Sequence, residues 1–243
     1  MNIRERQDVV IAAARAPENA GAGYFLSVLE SESDGICRWH AIQALGCLRA
    51  TEAVRALVQI LLQPDIEFDE SSLHRICAWS LGQIGPVATD EILNILTDAH
   101  SDSVAIAALD ALGEVRDAAA IPVIKQHLQS GNHQRAIWAA LALGKIGEAS
   151  LPVLQDSLDE ADADQVYIVI DTLAIIGTEQ TLPVLAKAVS ANEAVVNQYF
   201  ANGQIARASE YLRLVLKSGS PEAGMVAARL SPGVRDLVSG EAE

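Results

Sequence analysis

The sequence predicts an all-α protein, an α-solenoid (superhelix) in which about six helix pairs are stacked along the chain. A Leu-Gly dipeptide recurs with its glycines 36, 31 and 31 residues apart, and the same slot continues 30 and then 29 residues further on. No segment alternates apolar and polar residues with the period of two that marks a strand. Self-similarity at a fixed period of about thirty residues is typical of stacked repeats. The six slots are Leu45-Gly46, Leu81-Gly82, Leu112-Gly113, Leu143-Gly144, Leu173-Ala174 and Asn202-Gly203.

The start of the chain predicts a capping element. Residues 4–15 form a lone helix in this interpretation, because polar residues dominate its first turn as expected where a cap meets solvent. Residues 16–23 are predicted as a turn, residues 24–29 as a short helix, and residues 37–48 as the first longer helix. We therefore expect one repeat array over residues 1–243. Its parts are an N-terminal cap (1–23), the repeats (24–210) and a C-terminal cap (211–243).

The longer helices share one apolar face. Aligned on the glycine slot, apolar residues recur five, four and one residues before it and two residues after it, which is the spacing of a single helical face. The last copy carries Gln198 and Asn202 in these positions, so the pattern weakens towards the end of the chain. Glycine in the slot is expected to let the neighbouring helix pack closely. The first copy comprises Ala41, Ile42, Leu45 and Leu48.

A shorter helix is predicted to follow each longer one. Three copies place a proline at the first turn, where its missing N–H is not needed: Pro122, Pro152 and Pro183. Gly85, Gly147 and Gly177 fit left-handed helix stops. The expected starts of the shorter helices are Val54, Glu91, Ile121, Leu151, Leu182 and Glu210.

Composition and charge narrow the function classes. Half of the residues are apolar, only 4% are aromatic, and the net charge is −15. This charge argues against nucleic acid and against anionic membranes, because both are bound through lysine and arginine. No run of about eighteen apolar residues or signal peptide is present, so we expect a cytoplasmic location. The three cysteines lie among apolar residues and are expected to act as small core residues.

The repeated pieces resemble HEAT repeats, in particular the short class named for phycobilisome lyases. The matching segments are AIQALGCL, CAWSLGQIG, ALDALGEV, ALALGKIG with LPVL, and DTLAIIG with LPVL. The resemblance covers roughly residues 24–205 and implies that the shorter helices line a concave surface and the longer helices a convex one. The arginine that usually opens the longer helix is retained only at Arg38. Such repeats serve many unrelated functions.

The concave surface is the first candidate binding site. Its predicted side chains are polar and rich in glutamine, and an extended polar surface suits an extended partner. The alternative is that these are simply solvated helix faces. The candidate residues are Arg55, Gln59, Lys125, Gln126, Gln129, Gln155, Asp156, Asp159 and Lys187.

The turns from each short helix to the next long helix are the second candidate. They are rich in acidic residues, and one acid per turn is explained by helix capping. The remaining acids favour a ridge that binds a basic protein, or serve solubility. The second turn carries about five extra residues and is either an interaction loop or a cover over the first repeats. The candidates here are Asp65, Ile66, Glu67, Phe68, Asp69, Glu70, Asp98, Asp102, Glu160, Asp162 and Asp164.

No catalytic or metal-binding constellation is predicted. The five histidines show no HxxxH or HExxH spacing, and phosphate loops and nucleophile elbows are absent. We therefore expect no cofactor and no metal.

The leading hypothesis is a non-enzymatic scaffold that binds a partner protein with a basic surface. The alternatives are an inhibitor or immunity-type protein that neutralises a basic enzyme such as a nuclease, and a phycobilin-lyase-type subunit acting on phycobiliproteins. A homodimer or heterodimer is compatible with the tail, whose Leu212, Leu214, Val215 and Leu216 are predicted to be exposed.

Overall fold

A computed structural model describes residues 2–68, 71–99, 101–159, 162–201 and 206–239 of the chain. The described residues are almost entirely helical, which confirms the all-α solenoid class. By its internal contacts the chain divides into two compact units, Met1–Ala142 and Leu143–Glu243. The boundary between them lies within one helix, α9 (His133–Ile146). The single repeat array over residues 1–243 stays a prediction.

The first unit alternates long and short helices after its N-terminal cap. A short 3₁₀ turn precedes each of the short helices α4, α6 and α8. The helices before α9 are α1 (Ile3–Ala14), α2 (Pro17–Ser31), α3 (Gly35–Cys47), α4 (Val54–Leu61), α5 (Leu73–Ile84), α6 (Thr89–Thr97), α7 (Asp102–Val115) and α8 (Ile121–Leu128). In the inserted loop, strands β1 (Glu67–Phe68) and β2 (Ser71–Ser72) form a small antiparallel ladder.

The second unit continues the alternation. The prolines Pro152 and Pro183 lie in the first turns of α10 and α12, as predicted from their spacing. The helices after α9 are α10 (Leu151–Ser157), α11 (Ala163–Ile176), α12 (Leu182–Ala191), α13 (Glu193–Ala201), α14 (Ala206–Lys217), α15 (Pro221–Arg229) and α16 (Pro232–Ser239). Helix α15 ends at Arg229, shortly before Ser231-Pro232-Gly233, and Pro232 begins the further helix α16.

The repeated apolar face of the long helices is buried in five successive copies. The residues five, four and one positions before the glycine slot are all nearly inaccessible to solvent, from Ala41, Ile42 and Leu45 in α3 to Val169, Ile170 and Leu173 in α11. The position two residues after the slot is buried only at Val115 and half-buried in the other four copies. In the sixth copy Gln198 is exposed, and Asn202 lies outside the described residues.

The slot glycines lie where neighbouring helices touch. A Cβ atom on Gly46 would lie 2.8 Å from the Ser80 Cα, and one on Gly82 would lie 2.8 Å from the Glu114 backbone oxygen. Both distances are too short for a carbon atom, so any side chain here would force the helices apart. The Ser80 hydroxyl, fully buried, donates a 2.9 Å hydrogen bond to the Ile42 carbonyl across the α3–α5 contact.

Three local expectations need correction. The predicted turn 16–23 is mostly helical, because α2 begins at Pro17 and is only kinked at Gly21, whose φ is 77°. Gly177 stops α11 in the left-handed region, whereas Gly85 and Gly147 combine a positive φ with an extended ψ.

Cys37 and Cys77 are buried, and burial raises the pKa of the Cys37 thiol to about 11. The third cysteine, Cys47, is exposed because it points away from the apolar face.

Candidate functional site: the short helices and their turns

The short helices present polar side chains on the face opposite the core. In α4, the alternation of buried Val54, Leu57 and Leu61 with exposed Arg55 and Gln59 follows from helical periodicity. The other predicted concave residues follow the same rule. Gln126, Gln129, Gln155, Asp156 and Asp159 are exposed, whereas Lys125 and Lys187 are half-buried.

The sixth residue of each short helix is polar in five successive copies. Four of these side chains are exposed, and the fifth, Lys187, is partly covered. The side chains of Gln59, Asn94 and Gln126 make no hydrogen bond to other described residues of the chain. Their amide groups are therefore available to a partner. The five residues are Gln59, Asn94, Gln126, Asp156 and Lys187.

Two predicted concave cations are held by acids of a neighbouring repeat. Arg55 Nε lies 3.2 Å from Glu91 Oε1 and joins α4 to α6, although the Arg55 side chain is 87% exposed. Lys187 Nζ lies 2.6 Å from Asp159 Oδ1 and donates a 3.1 Å hydrogen bond to the Gln155 carbonyl. These pairs link successive short helices, and exposed ion pairs of this kind contribute little stability.

Several of the turn acids have intramolecular roles. Asp34 caps α3 by accepting a 3.0 Å hydrogen bond from the Cys37 backbone N–H, and it also accepts hydrogen bonds from Gln7 in α1. Asp162 caps α11 through the Gln165 backbone N–H at 2.9 Å. These two turns confirm the capping interpretation for one acid each.

Asp102 connects one turn to the next. Its carboxylate accepts a 2.6 Å hydrogen bond from Arg135 Nε and a 3.1 Å bond from Asn132 Nδ2. The bonds from Arg135 and Asn132 lower the pKa of Asp102 below its ordinary value. The acid thus joins the start of α7 to the start of α9, a role that the sequence pattern did not reveal because the partner lies a full repeat away.

The inserted loop is tied to the start of α5. Asp65 accepts hydrogen bonds from the Ser72 hydroxyl and from the His74 backbone N–H, the latter at 3.0 Å. His74 Nε2 lies 2.9 Å from the Gln63 carbonyl oxygen. Ile66 is 40% exposed, which is high for an isoleucine. Of the other loop candidates, Glu67 and Phe68 form β1, whereas Asp69 and Glu70 lie outside the described residues, as does Glu160.

Two turn acids have no such role. Asp98 and Asp164 are exposed, and among the described residues neither carboxylate accepts a hydrogen bond or pairs with a cation. The predicted ridge of acids is therefore mixed, because most of its described members hold the fold together and these two do not.

A groove of about 460 Å³ in the first unit contains one of these acids. It lies between α4, α6 and the start of α7, and it combines apolar and polar side chains. The sequence pattern indicated Gln59 and Asp98 in this region but not its exposed apolar part, because Leu62 lies four residues after the buried Val58 and is therefore predicted to be a core residue. The residues that line the groove include Val58, Gln59, Leu62, Asn94, Ile95, Asp98 and Val104.

The second unit contains a smaller hollow of about 320 Å³ beside α14. Tyr211 lies in its wall and hydrogen-bonds to the buried Thr181 hydroxyl, and burial raises the pKa of Tyr211 to about 12. The prediction that the apolar residues of this helix are exposed is mostly wrong. Leu212 and Val215 are buried in the core, whereas Leu214 is 59% exposed.

The described residues contain no group of three or more His, Cys, Asp or Glu side chains that could hold a metal ion. None of the described helices is both long enough and apolar enough to span a lipid bilayer.

Part of the chain matches a family model, and solved structures similar to the chain are known. Residues 89–167, from α6 into α11, match the family model for HEAT repeats. No curated protein sequence matches the chain. Among solved structures, the chain is similar to the complex of CpcE and CpcF of phycocyanin lyase from Nostoc sp. PCC7120. The identity is 20%, the alignment covers 90% of this chain and 94% of that chain, and the TM-score is 0.44.

Two engineered proteins are also similar. One is 18% identical over 89% of this chain and 97% of its own, with a TM-score of 0.37. The other is 19% identical over 98% of this chain and 76% of its own, with a TM-score of 0.39. The match to the HEAT-repeat family model over residues 89–167, the buried repeat face and the alternation of long and short helices are consistent with a HEAT-like repeat architecture.

Proposed function

We propose that this protein is a non-enzymatic scaffold that binds a partner protein with a basic surface through its short helices and the free acids of their turns. The observation that carries the proposal is the polar sixth residue of five successive short helices. The hydrogen-bonding groups recur at a regular spacing in the sequence, at Gln59, Asn94 and Gln126 in the first unit and at Asp156 and Lys187 in the second. Repeat proteins use such surfaces to bind extended partners.

The charge of the chain supports the choice of a basic partner. The net charge is −15, and acids outnumber bases by 32 to 17. A surface of one sign speeds encounter with a partner of opposite sign and rejects partners of the same sign. Asp98 and Asp164 are the candidate contacts among the turn acids, because neither accepts a bond from the described residues.

The test is a pull-down from the source cell with the tagged full chain, at low and at moderate salt. We expect one stoichiometric partner, with reduced recovery at moderate salt because exposed charge pairs are screened. The same partner is then measured against Gln59→Ala/Gln126→Ala and against the control Gln83→Ala/Gln134→Ala, which changes exposed glutamines of the long helices.

The short-helix pair should weaken binding by about fivefold to tenfold, whereas the long-helix pair should leave it unchanged. The opposite pattern, or recovery of no partner at either salt concentration, would contradict the proposal. A partner that is itself an enzyme and loses activity in the complex would favour the inhibitor alternative.

A further inference from the structure

The groove between α4 and α6 has an apolar floor that is open to solvent. Val58 is buried beneath it, Ile95 and Val104 are half-buried, and Leu62 is 42% exposed although it lies within a concavity. The volume of about 460 Å³ is within the range of sites that accept ligand side chains. A single large apolar side chain entering this groove would cover Leu62 and lose its own exposed surface at the same time.

The rim of the groove carries polar groups with no partner in the fold. Gln59, Asn94 and Asp98 are exposed, and their side chains make no hydrogen bond to other described residues. By contrast, Glu91 at the same groove is already paired with Arg55 at 3.2 Å. The rim therefore offers one free carboxylate and two free amides next to apolar surface.

The position of Asp98 is unfavourable for the helix that carries it. It is the C-terminal cap residue of α6, and its own backbone N–H donates a 3.2 Å hydrogen bond to the Asn94 carbonyl. The C-terminus of a helix carries partial negative charge, so a carboxylate there adds to a negative potential instead of offsetting it. A residue that lowers the stability of the element carrying it is expected mainly at functional positions. A cation bound at Asp98 would relieve the conflict.

From these observations we infer that the groove binds a short basic segment of the partner protein. One apolar side chain of that segment contacts Leu62, Ile95 and Val104, and a neighbouring lysine or arginine pairs with Asp98. Gln59 and Asn94 bond to the backbone of the segment. The inference rests on the proposed function and names the partner chemistry at one place on the short helices.

Charge complementarity selects this occupant. Among the described residues, the groove lining contains the acids Glu91 and Asp98 and no lysine or arginine. An acidic segment would meet like charge, and a second copy of this chain would bring a net charge of −15 towards the same surface. The required segment combines one apolar anchor with adjacent positive charge, which is how short peptides commonly combine affinity and register.

The probe is a displayed library of random peptides of roughly twelve residues, long enough for an i to i+7 contact face, selected on the full chain. We expect enrichment of peptides with Leu, Met or Phe next to Lys or Arg. Synthetic copies of the enriched peptides are then labelled, and their affinities are measured by fluorescence anisotropy against four variants.

Leu62→Ala should weaken binding about tenfold, because it removes the most exposed apolar side chain of the groove. Asp98→Asn should weaken it about threefold at low salt and less at high salt, as expected for an exposed charge pair. The matched controls are Val87→Ala, another exposed apolar residue, and Asp90→Asn, another exposed acid of α6. Both lie outside the groove lining and should leave the affinity unchanged.

Four outcomes would overturn the inference: no enrichment, enrichment of acidic peptides, affinities insensitive to Leu62→Ala and Asp98→Asn, or a self-associated chain that Leu62→Ala dissociates. Failure here is distinguishable from failure of the scaffold function. A partner recovered in the pull-down that binds Leu62→Ala and wild type equally would overturn the groove alone. A chain that recovers no partner would contradict the scaffold function itself.

Discussion

The buried face of the long helices and the turns after the short helices recur with the same period but behave differently. On the long helices, the positions five, four and one residues before the glycine slot stay buried in five successive copies; Ala41 and Ala108, for example, are equivalent and both fully buried. In the turns, acids recur but their roles change. Asp34 caps a helix, Asp102 binds Arg135 at the start of α9, and the Asp98 carboxylate accepts no hydrogen bond from the described residues.

The difference follows from what each region must satisfy. A core position is restricted by close packing on every side, so the same repeat geometry demands the same residue size in each copy. A turn is restricted only where its backbone N–H groups need partners, and a single acid meets that need. Additional acids are then free to serve ion pairs or binding, and periodicity cannot distinguish these uses.

The largest effect is expected from a methyl group added at the helix contact. In Gly82→Ala, the new Cβ would meet the Glu114 Cβ, carbonyl carbon and carbonyl oxygen at 2.8–2.9 Å, and backbone atoms cannot move aside without shifting α7. We expect a loss of about 2–3 kcal/mol in the free energy of unfolding, after the gain in helix propensity. Urea unfolding followed by circular dichroism measures it.

The same substitution elsewhere should have smaller or opposite effects. At Gly144→Ala the nearest atom is the Ile175 Cγ2 at 2.8 Å, a side-chain atom that can yield, so the loss should be smaller. At Gly224→Ala, in α15, nothing lies within 4 Å, and we expect a gain of about 0.4–1 kcal/mol. Equal changes in the free energy of unfolding at Gly82 and Gly224 would mean that close helix contact does not explain why glycine recurs in the slot.

The long-helix pattern allowed most of the fold to be predicted. Burial at Leu45, Leu81 and their equivalents follows directly from spacing, because one helical face must be covered. The kink at Gly21 and the start of α16 at Pro232 were missed. Glycine and proline both interrupt helices, and the sequence alone does not show whether the chain turns or resumes a helix beyond them.

An intermediate effect is expected from Asp34→Ala. The change removes the cap of α3 and the hydrogen bonds from Gln7, so the free energy of unfolding should fall by about 1 kcal/mol at neutral pH. Desolvation raises the pKa of Asp34, but the hydrogen bonds from Cys37 and Gln7 outweigh it, and the pKa lies below its ordinary value of 3.8. The stabilisation is therefore present above that value and is lost as the pH falls through the lower, folded-state pKa.

The measurement is a series of urea midpoints for wild type and Asp34→Ala from pH 7 down to about pH 3. The two curves should approach each other towards the acid end, because protonation of the wild-type carboxyl increases as the pH falls. Gln7→Ala serves as the control: it leaves the bond to the Cys37 N–H intact and should cost less than Asp34→Ala. A constant difference at every pH would show that the charge of Asp34 does not contribute.

Less of the candidate site could be predicted from the sequence. Exposure of Gln59, Gln126 and Gln155 followed from helical periodicity. The partners of Asp102 and Asp159 did not, because Arg135 and Lys187 are brought to them from the following repeat by tertiary packing. The sequence also did not indicate the exposed apolar surface at Leu62, because a leucine just after the last turn of a helix is predicted to be a core residue.

The smallest effect is expected from Asp164→Asn, which sharpens the contrast among the turn acids. Asp164 lies in the first turn of α11, is exposed, and accepts no bond from the described residues, whereas the cap of this helix is Asp162. The free energy of unfolding should change by less than about 0.5 kcal/mol, because only a weak interaction with the helix dipole is lost. Partner binding should nevertheless weaken at low salt if free acids contact a basic surface. If the variant unfolds more easily but binds the partner normally, Asp164 stabilises the fold and does not contact the partner.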